Sequence, residues 1–219
     1  MADCVIVLGG DSPKSVLTQQ AIKEAGLCLA ADSGALYAIE AGRMPDVVLG
    51  DMDSLAPEVL AKCQKSGSEI LRYPVAKDWP DGFLALKEAK KRGFESLDVV
   101  ALFGNRIDFV LANILMLVPL ALEGKKIRLL GEGWQAFYCI NEFVICGDPG
   151  DVVSLLALTP KVGEVCLSGF EYSLEDYDLS MYEPRALSNV LREPQGFIRH
   201  SGGCLLVVHY PRVLVETKY

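Results

Sequence analysis

The sequence predicts an α/β domain with a mostly parallel sheet, followed by an all-β domain. Three observations carry this. Strand-like apolar runs alternate with helix-like stretches through the first 130 residues, the texture then changes to short strands separated by turns, and 51% of the 219 residues are hydrophobic, ample for a substantial core.

In order, the first part reads DCVIVL, KSVLTQQAIKEA, LCLAA, ALYAIEAG, DVVLG, LAPEVLAKCQKSG, EILRY, PDGFLALKEAKKRG, LDVVALFG, DFVLANILMLVPLALEG and KKIRLL. Short apolar runs bounded by turn residues read as buried strands, and the stretches between them as covering helices, a Rossmann-like arrangement. The stretch 80–93 shows its ends plainly: Pro80 suits a first turn, Lys90, Lys91 and Arg92 suit a last turn, and Gly93 can close it. Phe83, Leu86 and Ala89 give it one apolar face.

After Leu130 the candidates FVICG, DVVSLLAL, EVCLSGFEY and GCLLVVHY are punctuated by Gly, Pro, Asn and Asp, with no long helix between them. The expected division is therefore 1–130, an α/β part, and 131–219, a small antiparallel β domain.

Composition narrows the function. A net charge of −8 disfavours nonspecific attraction to nucleic acid or anionic lipid, so an anionic substrate needs a metal ion or locally placed cations. The seven cysteines contain no C-x-x-C pair and mostly sit in apolar runs, which reads as a reduced, cytoplasmic protein. The start lacks a secretory-signal pattern, and VLANILMLVPLAL is too short to span a bilayer.

Parallel strands send their carboxyl-end loops to one edge, where ligands of open α/β folds bind. Asp32 follows LCLAA; Asp51 and Asp53 follow DVVLG; Lys77, Asp78 and Asp81 follow EILRY; Arg106 and Asp108 follow VVALFG. One such aspartate is better read as a turn or helix cap. Six on one rim repel one another unless a cation sits between them, and Mg²⁺, which combines carboxylates with phosphate oxygens, is the natural occupant. Asp51 and Asp53, two apart on extended backbone, would point to the same side. Lys77 and Arg106 would then meet phosphate oxygens, although each could instead pair with a neighbouring aspartate. The substrate implied is a nucleoside polyphosphate or similar.

Other features carry less. GGDSPKS at 9–15 has neither P-loop nor G-x-G-x-x-G spacing and offers at most a backbone contact to phosphate. His200 and His209 read as ordinary strand or surface residues, and Ser168 and Ser188 lack partners for a hydrolase triad.

The ordered set DSGAL, PDVVLGDMDSL, KDWPD, GNRIDF, GDVVSLLAL, GFEYSL and SN resembles the thiamine pyrophosphokinase (thiamine diphosphokinase) family over nearly the whole chain. The resemblance implies an N-terminal domain for ATP and Mg²⁺, a C-terminal β-sandwich for thiamine and dimerisation, and a homodimer with active sites at the subunit interface. It implies transfer of pyrophosphate from ATP to the thiamine hydroxyl, releasing AMP. By motif, Asp51, Asp53 and Asp81 would hold the metal, with Asp32 and Asp78 as further metal or water-mediated partners. Lys77 and Arg106 would face the phosphates, and Asp81 or Asp108 could take the hydroxyl proton. Asp108 would also face the pyrimidine, Tyr172 would stack against thiamine, and Ser188 and Asn189 would complete its pocket.

The chain departs from the family pattern at Ser33, Leu36, Pro80, Phe109 and Val190, where Gly, Asn, Thr, His and Glu are common. Two rival readings follow: a homologue that binds thiamine or nucleotide without turnover, motivated by these departures, and a glycosyltransferase using DMD as its D-x-D, which leaves the other strand-end acids unexplained.

Overall fold

A computed structural model describes residues 1–76 and 78–212; Lys77 lies outside the described residues. The chain divides into two compact units, Met1–Met116 with Ile127–Glu132, and Leu117–Lys126 with the residues from Gly133 onward.

In the first unit the strands are β1 (Cys4–Val7), β2 (Leu27–Ala31), β3 (Val47–Gly50), β4 (Glu69–Arg72), β5 (Ser96–Val100) and β6 (Lys126–Gly131). The helices are α1 (Val16–Glu24), α2 (Gly34–Glu40), α3 (Pro57–Lys65), α4 (Asp81–Arg92) and α5 (Ile107–Leu115). The strand order is β6-β5-β1-β2-β3-β4, with parallel pairing from β5 through β4. β1 and β3 are buried along their whole length, as strands covered on both faces must be. On β6, Arg128 reaches Asp98 of β5 with two hydrogen bonds of 2.9 and 2.7 Å.

Register places the site. Val7 lies level with Ala30 and Val100, and Ala31 with Leu49, so the segments that follow these strands emerge along one edge. β1 is also where the order reverses, with β2 on one side and β5 on the other. That is the point at which an open α/β sheet leaves a crevice.

The second unit holds α6 (Val118–Leu122) and strands β7 (Trp134–Cys139), β8 (Glu142–Cys146), β9 (Val152–Ala157), β10 (Lys161–Ser168), β11 (Leu174–Ser180), β12 (Asn189–Val190), β13 (Gln195–Ser201) and β14 (Leu205–Tyr210). They form two antiparallel layers, β12-β9-β14-β7 and β11-β10-β13-β8. Val153, Leu155 and Val207 from one layer share a core with Ile145, Val165 and Ile198 from the other, which makes this unit a β-sandwich.

Two details differ from the sequence reading. The stretch 108–124 is two helices, because Pro119 has no N–H to continue α5 and instead begins α6. β7, β11, β12 and β13 were not among the expected strands. β13 keeps Gly196, Ile198 and His200 inside while Phe197 and Arg199 face out, a period-two pattern that an outward Phe and an inward His disguise. Of the cysteines, five are buried, Cys146 is exposed and Cys166 is half-buried. Burial pushes the Cys4, Cys28 and Cys139 thiols up to about 12, which keeps them protonated. No described helix is long and apolar enough to cross a membrane.

Candidate active site

A cleft of about 420 Å³ opens at the carboxyl ends of β1, β2 and β5, lined among others by Gly9, Asp32, Asp81, Ala101, Arg106 and Phe109. Asp32 follows β2 directly, with φ 45°, and its N–H donates to Leu49 O at 2.9 Å. Its Oδ1 accepts the Met52 N–H at 3.0 Å. Asp51 follows β3, and Asp81 opens α4.

Carboxylate oxygens of Asp32, Asp51 and Asp81 all lie within 4.8 Å of one another. Burial, with Asp81 and Asp51 beside it, pushes the Asp32 carboxyl up to about 6 against the opposing effect of the Met52 N–H. Gly50, at φ 140°, makes this approach feasible: a Cβ there would lie on the Asp32 carboxylate. The set is all oxygen, without thiol or imidazole, which is the donor chemistry that Mg²⁺ takes.

Asp53 does not join this group. The backbone turns at Met52, φ 68°, so the extended geometry expected over 51–53 is absent, and the Asp53 N–H instead donates to Asp51 Oδ1 at 3.0 Å. Asp53 and Asp78 are both exposed. Asp32, expected as a further partner, stands in the trio itself; the sequence signal for it was its place immediately after a buried strand.

Across the cleft, Arg106 makes a two-point ion pair with Asp108, Nε to Oδ1 at 2.9 Å and a terminal nitrogen to Oδ2 at 2.6 Å. That hydrogen bonding from Arg106 holds the Asp108 carboxyl down at about 2. The guanidinium also lies over the Phe109 ring, 4.6 Å from its centre. The residue that replaces a common His thus supports the cation with an aromatic face. The GGDSPKS loop has its amides in use: Lys14 and Ser15 N–H donate to Glu132 Oε1 at 2.8 and 3.0 Å, and Ser15 caps α1 at Thr18.

In the second unit, Asn189 is 3% exposed and its amide clasps the backbone of Tyr172, accepting from its N–H at 3.0 Å and donating to its carbonyl at 2.7 Å. The Tyr172 side chain is left in solvent, the residue being 65% exposed. Ser188, at φ 53°, donates its N–H to Ser154 Oγ at 2.9 Å and is also exposed. Asn189 therefore holds the segment that carries Tyr172, and Tyr172 and Ser188 offer the free groups.

The catalytic-domain model of thiamin pyrophosphokinase matches residues 18–129, just over half of the chain. The chain belongs to the thiamine pyrophosphokinase family. The family's vitamin B1 binding domain matches residues 143–205. A thiamine pyrophosphokinase of Bacillus subtilis (strain 168) is 26% identical over 207 residues, 93% of this chain and 96% of that protein. Among solved structures, thiamine pyrophosphokinase from Bacillus subtilis is 24% identical with a TM-score of 0.84, covering 95% of this chain and 99% of that one. A thiamin pyrophosphokinase family protein from Enterococcus faecalis is 25% identical with a TM-score of 0.79, covering 94% and 98%.

The catalytic-domain match contains the aspartate trio and Arg106, and the vitamin B1 match contains Tyr172, Ser188 and Asn189. The α/β and β-sandwich architecture agrees with the family's solved structures.

Proposed function

We propose that this member of the thiamine pyrophosphokinase family transfers the pyrophosphoryl group of ATP to the thiamine hydroxyl, giving thiamine diphosphate and AMP, with Mg²⁺ held in the strand-end cleft. The observation that carries this reading is the convergence of Asp32, Asp51 and Asp81, with the Asp32 carboxyl pushed up to about 6. Three acids crowded this closely call for a cation, and a cation beside Arg106 suits a polyphosphate.

In this reading Asp32, Asp51 and Asp81 hold Mg²⁺, which when bound offsets negative charge on the donor phosphates. Arg106 is ready to change partners: its pair with Asp108 is exposed, and such pairs are worth little in water. Releasing Asp108 lets the guanidinium take phosphate oxygens while Phe109 keeps it in plane. Asp108 could accept the hydroxyl proton only after parting from Arg106, because a carboxyl held near 2 is a weak base at neutral pH. Lys77 is assigned to the phosphates on its motif alone. Asp53 and Asp78 are assigned as outer partners that orient the Asp51 loop and ordered water.

The β unit would take thiamine, a cation with two aromatic rings, on the exposed Tyr172 ring and Ser188, with Asn189 holding the loop. We assign ATP and Mg²⁺ to the part spanning 1–130, thiamine binding and dimerisation to 131–219, and the protein to the cytoplasm as a homodimer. Phe197 and Val144, both exposed and paired across β13 and β8, support an apolar contact face.

The test is product analysis after incubation with thiamine and Mg-ATP. Equal amounts of thiamine diphosphate and AMP are expected. Formation of ADP in place of AMP, or thiamine binding with no turnover, contradicts the reading.

A further inference from the structure

We infer that Asp151 and His209 are positioning residues, a buried carboxylate–imidazole pair that holds the segment presenting Tyr172 and Ser188 to thiamine. The inference deepens the proposed reading of the β unit as the thiamine-binding part and rests on it.

Asp151 and His209 are 2% and 3% exposed. His209 Nε2 donates to Asp151 Oδ2 at 2.8 Å, and Gln135 Nε2 lies 3.3 Å from the other ring nitrogen. Both carboxylate oxygens are in use: Oδ2 also accepts the Asp148 N–H at 3.0 Å, and Oδ1 accepts the Arg212 N–H at 2.7 Å. The pair is closely covered, since a Cβ on Gly147 would collide with Asp151 Oδ2 and come within 3.1 Å of His209 Nε2. A buried charge so fully paired fixes the backbone that carries it, because a displacement leaves a donor or an oxygen unmatched.

That backbone supports β12. β12 is a two-residue strand at the edge of its layer, too short to hold its place by pairing with Val152 and Val153 alone. The Asp151 loop adds to it: Leu191 N–H donates to Asp151 O at 2.9 Å, and Gly150 N–H to Leu191 O at 2.8 Å. The Tyr172 segment is attached to β12 in turn. Glu171 N–H donates to Val190 O at 2.8 Å, Arg192 N–H to Gly169 O at 2.9 Å, and Asn189 clasps Tyr172. Support thus runs from His209 in β14 through Asp151 and β12 to an exposed ring and hydroxyl. Asp151 and His209 are too deeply buried to meet thiamine themselves, so they act through Tyr172 and Ser188.

The experiment uses the full chain. Thiamine affinity is measured by calorimetry, the KM values for thiamine and ATP by AMP formation, and amide protection over 169–172 and 188–191 by hydrogen exchange. Asp151→Asn keeps the shape but turns an amide donor toward other donors, and His209→Leu removes the ring's N–H. Each should weaken thiamine binding by roughly tenfold, the worth of one hydrogen bond to a charged group, and lower protection in both stretches, with the KM for ATP unchanged. His209→Gln, whose amide nitrogen can reach the place of Nε2, should restore most of the affinity. Leu179→Ala, a core deletion in the other layer, is the control and should lower the unfolding midpoint without changing thiamine affinity. Gln135→Leu, which disturbs only the ring's outer partner, should show a smaller loss and carries the test if the stronger variants do not fold.

Wild-type thiamine affinity and protection in the folded variants overturn the inference, as does an equal loss in Leu179→Ala or a loss that falls on ATP instead. Wild type that binds no thiamine, with protection lost in the variants, overturns the thiamine reading and leaves the pair as the support of this segment. Thiamine turnover with affinity and protection indifferent to Asp151 and His209 does the reverse.

Discussion

Asp32 bears most of the electrostatic strain of the cleft. Its carboxyl is raised by burial and by Asp81 and Asp51, so without a cation its charge opposes folding. Asp32→Asn keeps the Oδ1 that accepts the Met52 N–H and removes that charge. The metal-free variant should therefore unfold at the wild-type temperature or higher, while turnover falls by at least roughly a hundredfold for loss of a metal ligand; calorimetric scans and a product assay check both halves. Phe109→Ala should act differently. Removing the ring under Arg106 forfeits an exposed cation–π contact, so the KM for ATP should rise by roughly a few-fold with that for thiamine unchanged. At this scale the residue types were legible and their grouping only partly so. Asp51 and Asp81 could be read from strand and helix ends, but the choice of Asp32 over Asp53 is made by positive φ at Asp32 and Met52, which an alternating pattern does not reveal.

Elements decide how the second unit presents its groups. The Asn189 side chain, at the start of β12, satisfies two backbone groups of Tyr172, so Asn189→Ala leaves that backbone without those partners. A stability loss of about 1–3 kcal/mol by urea denaturation is expected, with a raised KM for thiamine as the Tyr172 segment loosens. His200, 5% exposed at the end of β13, accepts the Asn141 N–H at Nε2, which also faces Cys139 O at 3.2 Å, and faces Gly202 O with Nδ1. Burial holds its pKa below 6.5. As pH falls through 6.5 the unfolded chain takes up a proton that the folded ring resists, so stability present above that pH is lost below it. Denaturation at pH 7.5 and 5.5 should show the drop, and His200→Gln should reduce it. Parallel strands were easy to read because both faces are buried and the apolar run is continuous. β13 was not, because QGFIRHS puts Phe197 outside and His200 inside, and β11 was not, because LEDYDLS buries only Leu179 among three acids and shifts register against β10.

For the whole molecule, the chain does not pass once from unit to unit near the change of texture at residue 130. α6 belongs to the second unit and β6, which follows it, to the first. A cut at 130 therefore strips the sandwich of α6, whose Val118, Leu120 and Ala121 are buried; the fragment 131–219 should be less soluble than one that retains 117–126. The proposed homodimer predicts a light-scattering mass of twice 23.8 kDa. The account depends most on the metal trio, and Asp51→Asn tests it most directly. AMP formation from thiamine and ATP is followed against Mg²⁺ concentration for wild type and variant, with unfolding midpoints as the control for structure. Saturable Mg²⁺-dependent turnover in wild type, reduced at least roughly a hundredfold in a variant that melts no lower, is the predicted result. An Asp51→Asn protein that turns over at the wild-type rate and with the wild-type Mg²⁺ dependence would contradict it.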